Sequence, residues 1–235
     1  MASGFHLGAG QVGPTQQSSV SCGAACLAVA RMLREPQIAE WVCAGSPYDR
    51  RTALERFGEL ERALMRRTNG VFSPTGTAQL PWPREWGTSP WGAKAGMERW
   101  GADPGTRYRV LPARQMSAAA LGELFDRTVA RSRPGAPVLV YVGNDLAPRH
   151  VCLAFADRDG RDVLWYEPSS GQVEVPSREA FLTSRLDLGG WDRPWLVVAP
   201  TAQQSRIAQQ ARRWMSLPVP SARPILLRQR YSSKQ

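Results

Sequence analysis

Residues 137–175 read PVLVYVGNDLAPRHVCLAFADRDGRDVLWYEPSSGQVEV. Three strand-length apolar runs stand here, Pro137–Gly143, Arg149–Ala156 and Asp162–Glu167. They are separated by turn chemistry, Asn144-Asp145 and Asp157-Arg158-Asp159-Gly160. A further turn, Pro168-Ser169-Ser170-Gly171, leads into a short strand over Gln172–Val175. Connections this short join antiparallel neighbours, so the segment predicts an antiparallel sheet.

Upstream of it the period is helical. A helix is predicted to open at Ser21-Cys22 and run to Leu33, with Leu27, Val29, Ala30 and Leu33 on its buried side and Pro36 ending it. A second runs over Arg51–Thr68, with Leu54, Phe57, Leu60, Leu64 and Met65 at helical spacing and Asn69-Gly70 as its stop signal. Residues 71–105 are rich in Pro, Gly and Trp and read as a long irregular segment with one short helix around Trp91–Trp100. Its tryptophans either pin the segment to the core or line a groove. Then follow a strand over Arg107–Leu111, a helix capped by Ser117, a short helix over Ser177–Thr183 and a last strand over Trp195–Ala199. Residues 1–200 form one domain; a polar helix over 201–215 and a basic tail make an appendage. Helices first and strands after give the class α+β.

The composition bounds the function. The 235 residues are 43% hydrophobic and 21% charged, the signature of a globular chain. The longest uncharged apolar runs, such as Val138–Val142, are too short to span a bilayer. Residues 1–20 carry neither the basic nor the apolar region of a secretory signal. The expectation is therefore a bacterial protein that acts in the cytoplasm or is exported by another route. The net charge of +10 favours an acidic protein partner. Lys and Arg never run more than two together, so nucleic acid is not the expected partner, and a monomer is expected. Four cysteines in a core-rich chain of this length read as working or buried thiols rather than as a disulfide frame.

Three islands carry chemistry. Cys22 falls where a helix begins, and free N–H groups and the helix dipole there stabilise a thiolate, the nucleophilic form. Gly23, Ala24 and Ala25 follow, and Gly23 is expected to let a substrate backbone approach. Gln16, six residues upstream, offers a side-chain amide that can join the Cys22 N–H as an oxyanion hole. His150 opens an apolar strand and can serve as the base a thiol needs. Glu167 ends the next strand, beside His150 if the two form a hairpin, where its carboxylate can accept the Nδ1–H and fix the tautomer. Asn144 and Asp145 are the alternatives for that role.

In these residues the chain resembles the papain-like cysteine peptidases. It is most similar to the C39-like peptidases, relatives of the bacteriocin-leader-processing peptidases. The resemblance rests on Gln16-x5-Cys22-Gly23, on His150-Val151 heading an apolar strand, and on Glu167-Pro168-x-x-Gly171. It covers about residues 11–34 and 137–182. It implies a papain-like fold, a helical half carrying Cys22 and a sheet half carrying His150 and Glu167. It implies hydrolysis of a protein or peptide substrate with no cofactor, with Cys22 as nucleophile, His150 as base, Glu167 as orienting acid and Gln16 in the oxyanion hole. Glu167 stands where the family usually has Asp, and the membrane transporter fused to leader-processing members has no counterpart here.

Three rival readings use the same residues. Deamidases and transglutaminases form the same acyl-enzyme with a different acceptor. A catalytically silent papain-like module would bind without turnover. Cys22-x3-Cys26 with His150-x-Cys152 would offer four ligands to zinc.

Overall fold

The computed structural model describes residues 5–201. Six strands form one antiparallel sheet in the order β1-β6-β2-β3-β4-β5. They are β1 (Tyr108–Pro112), β2 (Val138–Gly143), β3 (Pro148–Ala156), β4 (Val163–Tyr166), β5 (Val173–Glu174) and β6 (Arg193–Pro200). The helices are α1 (Cys22–Arg34), α2 (Pro36–Cys43), α3 (Ala53–Thr68), α4 (Pro90–Gly96), α5 (Ala118–Arg127) and α6 (Arg178–Thr183). The class is α+β, as the order of patterns predicts. Among the described residues no helix is long and apolar enough to cross a membrane. The predicted helix over 201–215 and the tail lie outside the described residues, apart from Thr201.

The centre of the sheet is buried on both faces, which is why β2 reads as an unbroken apolar run rather than an alternating one. One core lies between the sheet and α1, with Leu139, Tyr141, Val151 and Leu153 pointing into it. The other lies under α5 and α6, with Val138, Val140, Cys152 and Ala154. Successive residues of β2 and β3 thus enter opposite cores, as the period of two requires. Helix α1 is the centre of the first core, and every residue from Cys22 to Ala30 is buried. Its small residues let it settle on β3, close enough for the Cys26 Sγ to donate to the Val151 carbonyl at 3.2 Å.

Local chemistry fixes the ends. Thr52 and Glu55 form a reciprocal capping box at the start of α3. Ser117 caps α5 by accepting from the Ala120 N–H. Pro36 does end α1, but it also opens α2 as its first residue, a helix the sequence reading lacks. Leu54, expected in the core, is 46% exposed. The short helix in the irregular segment is α4, which passes into a π turn over Met97–Gly101. Of the tryptophans there, Trp100 enters the core, while Trp82 packs edge-on against Trp86 and Trp91 near the surface.

Candidate active site

The chain start is zipped onto the acid turn. Gly10 N–H donates to the Val173 carbonyl (2.8 Å), Val173 N–H to Gln11 (3.1 Å) and Gly13 N–H to Gly171 (2.8 Å). Gln16 N–H then donates to the Pro168 carbonyl at 2.7 Å, and the Tyr166 hydroxyl donates to the Pro14 carbonyl. Gln16 is thereby set beside the Glu167-Pro168 turn, so the first and third islands meet.

His150 and Glu167 form a buried pair, with Nε2 and Oε1 2.6 Å apart. The sequence predicts Nδ1 for this bond; the structure puts the carboxylate on Nε2. The register explains the need for a long acid. Leu153 pairs with Tyr166, so Cys152 stands opposite Glu167 and His150 sits diagonally to it. Diagonal positions lie about 7–8 Å apart, a gap the extra methylene of Glu helps to span. A register shift between Val142 and Gly143 interrupts the ladder beside His150, the kind of irregularity that re-aims a side chain.

Glu167 is saturated with donors. Oε1 accepts from His150 and from the Ser169 N–H (2.7 Å), and Oε2 from the Ser169 hydroxyl (2.7 Å), the Ser170 N–H (2.9 Å) and the Ser170 hydroxyl (2.7 Å). Burial alone would raise its pKa, but the His150 bond and the two serines outweigh it and hold the carboxyl well below its ordinary range. For His150 burial works the other way and disfavours the imidazolium. Hydrogen bonding to the sulfurs of Cys152 and Cys22 and to Glu167 overrides it, so the imidazolium is favoured well beyond its ordinary range. Burial also raises the pKa of Cys152, which keeps that thiol neutral, so Glu167 is the charge that counts. The loop after α6 covers the pair: a side-chain carbon on Gly189 would stand 3.0 Å from His150 Nε2.

Cys22 is the first residue of α1, and it is 2% exposed. What covers it is the segment before α4. Gly87 takes a positive φ of 73° and packs on the Val20 carbonyl and the Cys22 sulfur. Thr88 fills the space above Gly23, where an added side-chain carbon would stand 2.8 Å from its Cβ. Gly23 therefore makes room for Thr88 rather than for a substrate backbone. The segment is clamped: Asn69 donates to the Gly87 carbonyl (3.2 Å) and accepts from the Ser89 N–H (3.3 Å), and the Tyr141 hydroxyl donates to the Thr88 carbonyl (2.9 Å). At the helix start, Ser21 makes no side-chain cap and the first turn holds no acid. The N–H groups there keep their pull on an anion. The Gln16 amide donates one hydrogen to the Ser18 carbonyl (3.0 Å), and its Oε1 is buried without a partner.

The alternatives for orienting His150 do other work. Asn144 Oδ1 accepts from the N–H groups of Leu146 and Ala147, and Asp145 pairs with Arg114 and Arg193. Zinc finds no support in the predicted set, since Cys26 turns to Val151. Among the described residues, the group with converging ligand atoms is His150, Cys152 and Glu167, within 4.8 Å of one another. Five donors on Glu167 leave that carboxylate poorly placed to bind a metal as well. A cavity of about 460 Å³ opens at the far end of α1, between Leu33, Arg34 and Phe155, and none of the predicted site residues lines it.

Sequence reasoning missed Ser169 and Ser170 as carboxylate donors, Cys152 as a neighbour of the ring, the Gly87-Thr88 cover, and Glu61. The signal for Glu61 was present: it is a charge on the face that also carries Phe57, Leu60 and Leu64. Compared with known protein families and with curated proteins, the chain matches no family model and no curated relative.

Proposed function

We propose that this protein is a cysteine peptidase with a papain-like fold, similar to the C39-like peptidases, acting on a protein or peptide substrate. The observation that carries the reading is the buried His150–Glu167 pair, with the carboxylate on Nε2, in one structure with a buried Cys22 at the head of α1. In this reading Glu167 orients the ring and stabilises the imidazolium, and the thiolate formed when Cys22 gives its proton to His150 is the nucleophile. The thiolate attacks the peptide carbonyl carbon, and the carbonyl electron pair moves onto oxygen, facing the Cys22 N–H and the Gln16 amide. His150 gives its proton to the leaving amine as the C–N bond breaks. Neutral His150 then takes a proton from water, which attacks the thioester and releases the acid and the thiol.

The test is intact-mass labelling at pH 7 with a peptidyl electrophile directed at thiol proteases. One adduct on Cys22 is expected, absent in Cys22→Ala and lost in His150→Ala. Equal labelling of all four cysteines, or none, would overturn the reading in favour of a binding module without turnover.

A further inference from the structure

We propose that Glu61 is the positioning residue of the oxyanion hole: from α3 its carboxylate holds the Gln17 N–H and so fixes the backbone directly after Gln16. This rests on the peptidase reading above. Glu61 is 1% exposed, a carboxylate inside the first core. A buried acid without a role in geometry is worse for stability than an apolar side chain of similar size. Its two oxygens both face the Gln17 N–H, at 3.2 and 3.1 Å. The loop from Gln17 runs on to Ser21 at the start of α1. Ser21 closes the loop on itself, accepting from the Ser18 N–H (3.1 Å) and donating to the Ser18 carbonyl (2.8 Å).

Gln16 is consequently held on both sides. Its own N–H is bound to the Pro168 carbonyl, and the next N–H along the chain is bound to Glu61. These two anchors come from the sheet half and the helical half, so between them they set the backbone of Gln16 relative to both. The loop that begins at this anchor is closed by Ser21, directly before the nucleophile. Removing the carboxylate frees the Gln17 N–H, so Gln16 keeps its bonds to Pro168 and Ser18 but loses its tie to α3, and its amide is expected to shift relative to the Cys22 N–H. The hydrogen bonds of Glu61 go to the Gln17 N–H and not to Cys22 or His150, so its loss should spare the thiol and its base.

Two small reagents separate these effects. p-Nitrophenyl acetate acylates a thiolate through a tetrahedral oxyanion: the sulfur–carbon bond forms, the electron pair goes onto the carbonyl oxygen, and its return expels p-nitrophenolate. Iodoacetamide alkylates by direct displacement of iodide and forms no oxyanion. For Gln16→Ala we expect ester acylation of Cys22 to slow about 100-fold. For Glu61→Ala we expect at least about tenfold, with alkylation changed by less than about twofold in both. In a Gln16→Ala background, Glu61→Ala should add less than about threefold, because the group it positions is gone. If Glu61→Ala does not fold, Glu61→Gln, which keeps an acceptor for the Gln17 N–H, goes through the same two reactions and should slow ester acylation about three- to tenfold with alkylation changed by less than about twofold. Acylation at the wild-type rate, equal slowing of both reactions, or fully multiplicative loss with Gln16→Ala would each overturn the role of Glu61. A wild-type protein that does not acylate Cys22 at all overturns the peptidase reading, and this role with it.

Discussion

His150 is held by its acid partner, and the acid partner is held by the turn that follows it. Glu167 has every accepting direction occupied by Ser169, Ser170 and the imidazole, so it has little freedom to leave the ring. The pair should leave a pH signature in stability. The folded pKa of Glu167 is depressed below its ordinary 4.5, so its contribution is full above that value and is lost as pH falls through the folded value. That of His150 is raised above its ordinary 6.5, so its contribution is full below 6.5 and is lost as pH rises through the folded value. Both are present together between the two ordinary values. The difference in thermal midpoint between wild type and Glu167→Gln should therefore be largest in that window and shrink on acidification below 4.5. A difference independent of pH would mean that the carboxylate is not ionised against His150. In the proposed peptidase reaction, Glu167→Gln should retain activity, with a loss about a hundredfold smaller than that of Cys22→Ala, because orientation counts for less than the proposed nucleophile.

The elements around Cys22 divide into those that form the site and those that only stabilise it. The Gly87–Ser89 segment belongs to the first kind. Gly87 needs both its left-handed backbone and its missing side chain, since an added carbon would stand 2.8 Å from the Val20 carbonyl. Gly87→Ala should cost about 1–3 kcal/mol and also change the labelling rate of Cys22, because Val20 and the thiol share that contact. The capping box of α3 belongs to the second kind. Thr52→Ala should cost about 1 kcal/mol in denaturant unfolding and leave Cys22 labelling unchanged. A Gly87→Ala protein that loses stability but labels like wild type would make the segment scaffold rather than site. At this scale the sequence is highly legible. The spans of α1, α3, α5 and β2–β4 follow from local period, caps and turn residues, and these are short-range causes. Helix α2 escapes because Pro36 serves two helices at once. The Gly87-Thr88 cover escapes because it depends on Asn69 and Tyr141, which lie 18 and 53 residues from their partners.

Across the whole molecule, the site is assembled by pairings between the chain start and the sheet, which no local pattern announces. The three islands are separable in sequence by residue type and order, so Gln16, Cys22, His150 and Glu167 are legible as candidates. The way residues 10–16 reach the acid turn is not, because it depends on backbone bonds to residues 168–173. Gly171 is the closest point of that seam. It has a φ of +76°, and an added side-chain carbon would stand 2.4 Å from the Gly13 carbonyl. Gly171→Ala must therefore either push the chain start away or distort the turn that presents Glu167. Gly10 supplies the control, with the same φ of +76° and nothing within 4 Å of the added carbon. Gly10→Ala bears only the backbone strain, about 1 kcal/mol. Gly171→Ala should lose distinctly more stability than Gly10→Ala. It should also slow ester acylation of Cys22, while iodoacetamide alkylation, which needs no oxyanion hole, falls less. Equal behaviour of the two variants in unfolding and in acylation would show that the seam does not set Gln16, and would leave the helical half alone to build the oxyanion site.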